Sequence, residues 1–170
     1  MNYMKKSLKS ISLHFVLFFT NWLPDNVIFL RLRGFLAGFF LMGTCRNLRL
    51  GRNLTFYNPS KIYVGDDVYI AYGNWFCALE KIIIEDEVMF GPMSMIISGN
   101  HSRINGSYRH GREQNEKIII EKGSWVGGNC SILSGAKIGS GTAIGANSVA
   151  NKIIPKNSVY AGTKVISIKD

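Results

Sequence analysis

The second half of the chain carries one aliphatic side chain at every sixth position. The residues in this series are Ile120, Val126, Ile132, Ile138 and Ile144. Four positions after each of them stands a small residue: Ser124, Cys130, Ala136, Thr142 and Ser148. A helix repeats after about 3.6 residues and a strand after about 2, so neither explains this spacing. One short strand plus one turn does explain it, if three such repeats close a triangular coil and the coils stack into a parallel solenoid.

The same spacing appears earlier in the chain, with interruptions. The earlier aliphatic and aromatic positions are Leu50, Phe56, Val64, Ile70, Phe76, Ile84, Phe90 and Ile96. The register slips by two residues between Phe76 and Ile84, and residues 98–117 have no aliphatic period at all. Long loops inside regular solenoids often carry function. The pattern therefore predicts an all-β solenoid over 48–170 with one excursion loop at 98–117.

Residues 1–47 are apolar and aromatic, and Pro24 with Asp25 divides them into two predicted helices. Charged and polar residues interrupt every apolar run before it reaches the roughly 20 residues of a membrane span. Two interpretations remain, and both could hold. The segment is a helical cap on its own domain or on a neighbouring subunit. Alternatively, it is a membrane-surface anchor whose basic residues meet anionic lipid, namely Lys5, Lys6, Lys9, Arg31 and Arg33.

The net charge of +9 and the isoelectric point near 9.6 favour a polyanionic partner. Six Lys or Arg residues stand against one Asp within 1–47, which favours a membrane surface or an anionic subunit neighbour over nucleic acid. Three widely spaced cysteines indicate neither a disulfide framework nor a zinc site. We therefore expect no nucleic acid partner and a cytoplasmic protein, at the inner face of the membrane if the anchor operates.

Four stretches resemble the bacterial hexapeptide-repeat acyltransferases: residues 88–92 (VMFGP), 98–101 (SGNH), 125–127 (WVG) and 144–149 (IGANSV). Within that family the chain is similar to galactoside and maltose acetyltransferases and to the O-acetyltransferases of surface polysaccharides. The resemblance implies a left-handed parallel β-helix. It also implies a homotrimer with active sites between subunits, and acetyl-coenzyme A as the acyl donor.

The resemblance places His101 at the catalytic position, because the interval from His101 to Trp125 matches the corresponding His to Trp interval of the galactoside enzymes. A sugar hydroxyl needs a base to attack a thioester, and histidine is suited to that task. Glu113 and Glu116 are candidates to orient the ring. The family pattern also implies a groove for the coenzyme along Trp125, Gly127, Gly128, Gly145 and Ala146, with Lys152 and Lys164 near its phosphates.

The acceptor site is predicted from residue type. Trp75 beside Asn74, together with Tyr72 and Phe76, offers aromatic faces for a sugar ring, although packing at the register slip explains these residues equally well. Arg103 and Arg109 in the excursion loop suit an anionic acceptor.

The predicted function is O-acetylation of a sugar hydroxyl in a bacterial surface polysaccharide (O-antigen, capsule or exopolysaccharide) or its precursor, by direct transfer in a ternary complex. Alternatives are a xenobiotic acetyltransferase of the same fold, a non-catalytic scaffold, and a metal-dependent relative. The metal-dependent reading needs three histidine ligands from adjacent coils, whereas the chain has only His14, His101 and His110. No bound metal is expected.

Overall fold

The structure is a computed structural model that describes residues 3–162, with side chains described from residue 8 onward. Two helices, α1 (Tyr3–Thr20) and α2 (Val27–Gly38), precede the strands, and a short 3-10 helix (Pro59–Lys61) lies between β3 and β4. The strands within these residues are β1 (Met42–Gly43), β2 (Arg49–Leu50), β3 (Thr55–Tyr57), β4 (Ile62–Val64), β5 (Tyr69–Ile70), β6 (Trp75–Cys77), β7 (Ile82–Ile84), β8 (Met89–Phe90), β9 (Met95–Ile97), β10 (Ile118–Ile120), β11 (Trp125–Val126), β12 (Ser131–Leu133), β13 (Lys137–Ile138), β14 (Ala143–Ile144), β15 (Val149–Ala150), β16 (Ile153–Ile154) and β17 (Val159–Tyr160).

Every third strand along the chain joins the same parallel sheet. The first sheet is β1-β4-β7-β10-β13-β16, the second is β2-β5-β8-β11-β14-β17 and the third is β3-β6-β9-β12-β15. The chain therefore passes over three faces in turn and advances by one coil each time, for about six coils. The predicted solenoid and its N-terminal helical segment are confirmed, and the left-handed winding stays a prediction.

The six-residue period corresponds to the inward-facing positions. All five aliphatic residues of the regular series are at most 1% exposed, and the small residues that follow them are buried as well. A single coil is too thin to shield its aliphatic side chains, so each coil buries them only by stacking on the next. The stacked coils form one continuous core that runs the length of the column.

Coil stacking leaves no room for a side chain at two of the glycines in the regular series. A Cβ on Gly127 would lie 2.7 Å from the backbone nitrogen of Ala146, and one on Gly139 would lie 2.5 Å from that of Lys156. Both atoms belong to the next coil, which is hydrogen-bonded at the strand spacing of about 4.8 Å. These glycines therefore permit close approach of two backbones.

All interruptions of the period occur where the chain passes from the third sheet to the first, a position that we call the loop corner. Eight residues instead of six separate Phe56 from Val64, and the same holds from Phe76 to Ile84. One coil later the excursion loop leaves at the same corner, between β9 and β10. The register slip and the long loop are thus successive events along one edge of the column.

The two helices pack on the first coil. Helix α2 lies against β2, while α1 lies against α2 and β3. Leu13 of α1 and Ala37 of α2 join the core of the solenoid. A Cβ on Gly34 would lie 1.8 Å from the carbonyl oxygen of Leu48, so only glycine allows α2 to pass this close. Among residues 3–162, no helix combines the length and hydrophobicity needed to cross a membrane.

Arg33 is one of the basic residues that the membrane-anchor interpretation assigns to lipid contact, but the structure buries it. Its side chain is 1% exposed and donates hydrogen bonds to the Asp25 carboxylate (3.2 Å) and to the carbonyl oxygens of Leu23 (3.1 Å), Thr20 (3.3 Å) and Leu50. Burial lowers the pKa of the Arg33 guanidinium, although the neighbouring Asp25 acts in the opposite direction. Arg33 therefore joins α2 to the helix connection and to the first coil.

Candidate active site

The excursion loop is an antiparallel hairpin. Its two arms are joined by backbone hydrogen bonds from Glu116 to Ser98 (3.2 Å), from Gln114 to Asn100 (3.0 Å) and from Ser102 to Arg112 (3.2 Å). Because the arms satisfy one another's backbone groups, the segment has a defined conformation outside the prism. His101 lies in the middle of the outgoing arm.

The tip of the hairpin is a tight turn at Asn105 and Gly106. Ile104 and Ser107 exchange backbone hydrogen bonds of 2.9 and 3.0 Å, and both central residues have positive φ, 50° for Asn105 and 80° for Gly106. An Asn-Gly pair is the preferred sequence for such a two-residue turn. This dipeptide is the sequence signal for a hairpin, and the six-residue period does not include it.

Two serines hold the base of the hairpin to the coils on either side. The Ser98 hydroxyl donates to the carbonyl oxygen of Glu80 (2.8 Å) and accepts from its N–H group (2.8 Å). The Ser134 hydroxyl donates to the carbonyl oxygen of Ser98 (3.1 Å) and accepts from the N–H group of Glu116 (2.9 Å). Sequence reasoning missed Ser134. These bonds fix the start of the arm only three residues before His101.

His101 stands directly opposite Glu113 across the hairpin. The flanking bonds, from Gln114 to Asn100 and from Ser102 to Arg112, make this a non-hydrogen-bonded pair, whose side chains lie close together on one face. Both side chains are exposed in the single chain. The Glu113 carboxylate also accepts a hydrogen bond of 3.0 Å from the Asn115 side chain.

The Glu116 carboxylate lies beside Gly135 in the next coil. A Cβ added to Gly135 would lie 2.7 Å from a carboxylate oxygen of Glu116. Of the two acids that were candidates to orient the imidazole, Glu113 is therefore the one that the hairpin places next to His101.

The residues predicted to bind the coenzyme lie on the far side of the column. Trp125 is half-exposed on the outward face of β11, in the second sheet. Four other residues stack in two successive coils where the second sheet turns into the third, a position that we call the glycine corner: Gly127, Gly128, Gly145 and Ala146. In a three-sided column the second sheet is the face opposite the loop corner. A single chain therefore does not bring His101 and Trp125 together.

Lys152, one of the two lysines predicted near the phosphates, is not at the glycine corner. Lys152 lies between β15 and β16, which is the loop corner, and its side chain is exposed. Lys164 lies outside the described residues. Within one chain the third sheet separates Lys152 from the backbone groove predicted for the pantetheine arm.

The predicted acceptor residues divide into three sets. Asn74 is fully buried, and its side chain donates to the carbonyl oxygens of Ala71 (2.8 Å) and Gly91 (2.9 Å) and accepts from the N–H group of Ser94 (3.1 Å). Its prediction as a sugar ligand is therefore wrong, because the amide is used inside the column. Its neighbour Phe76 is a core residue, also without exposure.

Trp75 is 40% exposed and points outward from the third sheet. It lines a groove of about 550 Å³ between that sheet and α1. Arg103 and Arg109 are both exposed on the same hairpin as His101. Of the predicted acceptor residues, these two arginines are the ones that share the hairpin with the candidate base.

The histidines do not converge. His14 lies on α1, whereas His101 and His110 belong to the hairpin. Within the described part of the chain, no group of three or more His, Cys, Asp or Glu side chains is placed to hold a metal ion.

Comparison with known proteins agrees with this architecture. The model of the bacterial transferase hexapeptide (six repeats) matches residues 117–152. A galactoside O-acetyltransferase from Lactococcus lactis is 30% identical over 107 residues, which are 63% of this chain and 52% of the relative. A putative lipopolysaccharide biosynthesis O-acetyl transferase from Escherichia coli is 29% identical over 132 residues, or 70% of this chain and 62% of the relative.

A solved structure has the same fold over nearly the whole chain. A hexapeptide-repeat containing acetyltransferase from Vibrio cholerae, in complex with acetyl-coenzyme A, superposes with a TM-score of 0.76 at 23% identity, and the match covers 96% of this chain and 89% of that one. At this identity the likeness shows the fold.

The chain spans between half and two thirds of the length of the two curated relatives. The repeat match, the two curated relatives and the coil geometry agree with one another: the chain carries bacterial transferase hexapeptide repeats and is similar to acetyltransferases that contain them.

Proposed function

We propose that the chain transfers an acetyl group from acetyl-coenzyme A to a sugar hydroxyl, with His101 as the general base. The observation that carries this proposal is the position of His101, which is exposed on a hairpin whose base is fixed by Ser98 and Ser134. Relatives are named galactoside and lipopolysaccharide O-acetyl transferases, and the Vibrio cholerae protein was solved with acetyl-coenzyme A.

The chemistry requires one proton to be moved twice. The imidazole of His101 takes the proton of the acceptor hydroxyl while the oxygen attacks the thioester carbon. The tetrahedral intermediate then collapses, the carbon-sulfur bond breaks, and the imidazolium returns the proton to the departing coenzyme A thiolate. Backbone N–H groups would stabilise the oxyanion of that intermediate. No covalent intermediate on the protein is needed, so transfer is direct.

The complete site is assembled from more than one copy of the chain. His101 projects from the loop corner. Trp125 lies on the second sheet, and the glycine corner lies between the second and third sheets. A homotrimer, which the family resemblance implies, would place the hairpin of one subunit against the coenzyme groove of the next. A heterologous contact of this kind closes into a ring.

Mixing two inactive variants is expected to restore activity if the site is shared in this way. One variant is His101→Ala, and the other is Ala146→Trp, which blocks the coenzyme groove at an exposed position. After unfolding and joint refolding of equal amounts, about a quarter of the interfaces should combine an intact hairpin with an intact groove. Each variant refolded alone is the control. Recovered activity no greater than the sum of the two separate activities would mean that each chain carries its own complete site.

The proposed acceptor is a surface polysaccharide or its lipid-linked precursor. Arg103 and Arg109 add positive charge to the hairpin that carries His101, and guanidinium groups bind phosphates through paired hydrogen bonds. A sugar linked to a diphosphate would present its hydroxyl to His101 and its phosphates to these arginines. The named role of the Escherichia coli relative in lipopolysaccharide biosynthesis supports the same class of acceptor.

An acceptor screen tests the proposed function. Purified protein is incubated with acetyl-coenzyme A and a panel of free, nucleotide-linked and lipid-linked sugars, and release of coenzyme A thiol is followed with a chromogenic disulfide. Acetylated product is identified by mass spectrometry. We expect release that depends on a sugar, and strongest with a phosphorylated carrier. Turnover with amine or hydroxyl antibiotics, and with none of the sugars, would contradict the proposal.

Glu113→Gln is expected to lower kcat by about 10- to 100-fold, the usual cost of removing a group that orients a reacting side chain. The Michaelis constant for acetyl-coenzyme A should stay unchanged, because Glu113 is a positioning residue that acts through His101. Glu116→Gln is the matched control, an acid of the same hairpin that faces Gly135. Steady-state kinetics of both variants decide the question, and equal effects would remove Glu113 from this role.

A further inference from the structure

Helix α1 exposes a row of large apolar side chains. Six of them are at least half-exposed and follow one another at helical spacing: Leu8, Ile11, Phe15, Phe18, Phe19 and Trp22. The opposite side of the same helix buries Leu13 and Thr20 against the rest of the chain. The solvent side of α1 is therefore more aromatic than its packed side, which reverses the usual arrangement of a surface helix.

Helix α2 and its ends show the same reversal. Val27, Ile28, Phe35 and Phe39 are each more than half-exposed, whereas the side that faces the solenoid carries Arg33, Gly34 and Ala37. Helix α1 packs against α2. We call these ten residues, which lie on α1, on α2 and just beyond their C-terminal ends, the apolar helix face. Large exposed apolar surfaces mark a contact with a partner or a membrane.

The charges around the apolar helix face select the partner. Of the six basic residues within 1–47, Arg33 is buried and Arg46 is paired with the Asp66 carboxylate, and the other four, Lys5, Lys6, Lys9 and Arg31, stand against one acid, Asp25. The Asp25 carboxylate is paired with Arg33 at 3.2 Å and with Arg52 at 3.5 Å, so it contributes little negative charge to the surface around the helices. Arg31 is exposed on α2. A second copy of the same face would bring basic residues against basic residues, which disfavours self-association there.

We propose that the apolar helix face docks flat on an anionic lipid bilayer. The aromatic rings enter the headgroup region, where Phe and Trp are favoured, and the basic residues meet lipid phosphates. Arg33 takes no part, since it is buried. This inference rests on the two helices alone and is independent of the proposed function. It would hold the solenoid beside lipid-linked substrates if that function is correct.

Vesicle flotation of the full chain tests the proposal. Protein bound to vesicles floats with them, whereas aggregated protein does not, so aggregation is not mistaken for binding. Vesicles of phosphatidylcholine with about a third phosphatidylglycerol are compared with vesicles of phosphatidylcholine alone. The variant is Trp22→Ser with Ile28→Ser, which are 79% and 73% exposed. The matched control is Val159→Ser with Ile153→Ser, which are 81% and 73% exposed on β17 and β16 of the last coil.

We expect the parent chain to float with anionic vesicles and to be released by salt. The helix variant should lose at least about tenfold in partition, whereas the control variant should float like the parent. Equal flotation of the two variants, or no flotation of the parent, would overturn the proposal. A fall in oligomeric mass of the helix variant in light scattering, without vesicle binding of the parent, would also overturn it and assign the face to subunit contact.

Discussion

Replacement of His101 with alanine is expected to lower the rate of sugar-dependent coenzyme A release by about two to four orders of magnitude, the range that general base catalysis contributes. The remaining rate would come from substrates held together in the site. The fold should be unaffected, because His101 is exposed and does not belong to the core of the column. Light scattering should give the mass of the parent protein.

His110→Ala is the matched control for this prediction. His110 is also an exposed histidine of the hairpin, but it lies beyond the turn at Asn105 and Gly106. It should keep nearly full activity, so a loss limited to the variant at 101 would identify the base. Full turnover by His101→Ala, at unchanged mass, would require a different base and would leave the hairpin with a role in acceptor binding alone.

The column itself could be predicted from the sequence because its rule is local. Each inward position follows the previous one by six residues, and burial of all five aliphatic residues from Ile120 to Ile144 agrees with that rule. Deviations from the period were visible too, but their common location was not. The slip after Phe76 and the hairpin after Ile97 lie at one corner. This becomes apparent only when the coils are stacked.

The prediction that Asn74 binds a sugar failed, although the sequence contained the signal that this residue is buried. Its neighbour Trp75 suggested a sugar platform, yet Asn74 stands four residues after Ile70, which is the buried small-residue position of the repeat. Ser94 has the same place after Phe90, and its backbone N–H group donates a hydrogen bond to the side-chain oxygen of Asn74. The repeat rule, applied to this earlier coil, would have placed Asn74 inside. Polar type alone was the weaker guide.

No pattern in the sequence indicated that Arg33 is buried. Its partners, Asp25 and the carbonyl oxygens of Leu23 and Leu50, are brought together by the packing of α2 on the first coil, and no spacing encodes that arrangement. For the same reason the sequence could name His101 and Trp125 but could not show that one chain separates them. Tertiary contacts decide both cases.

Phe76→Ala is expected to cost about 3 to 5 kcal/mol of unfolding free energy, the largest effect on stability that we predict. The ring is fully buried at the centre of the column, with the Phe56 ring stacked at 5.1 Å and the Phe90 ring edge-on at 5.3 Å. Its removal would leave a cavity that three successive coils cannot close, because their backbones are fixed by hydrogen bonding along each sheet.

Trp75→Ala is the control, since it deletes a larger ring from the adjacent position of β6 that faces outward. It should lose less than half as much, because this ring is already 40% exposed. Urea unfolding followed by circular dichroism, at one chain concentration, compares the two, and Phe76→Leu provides a milder variant if the alanine protein does not fold. A greater loss from Trp75 than from Phe76 would mean that the inward and outward positions of this strand are exchanged, and with them the register that sets the loop corner.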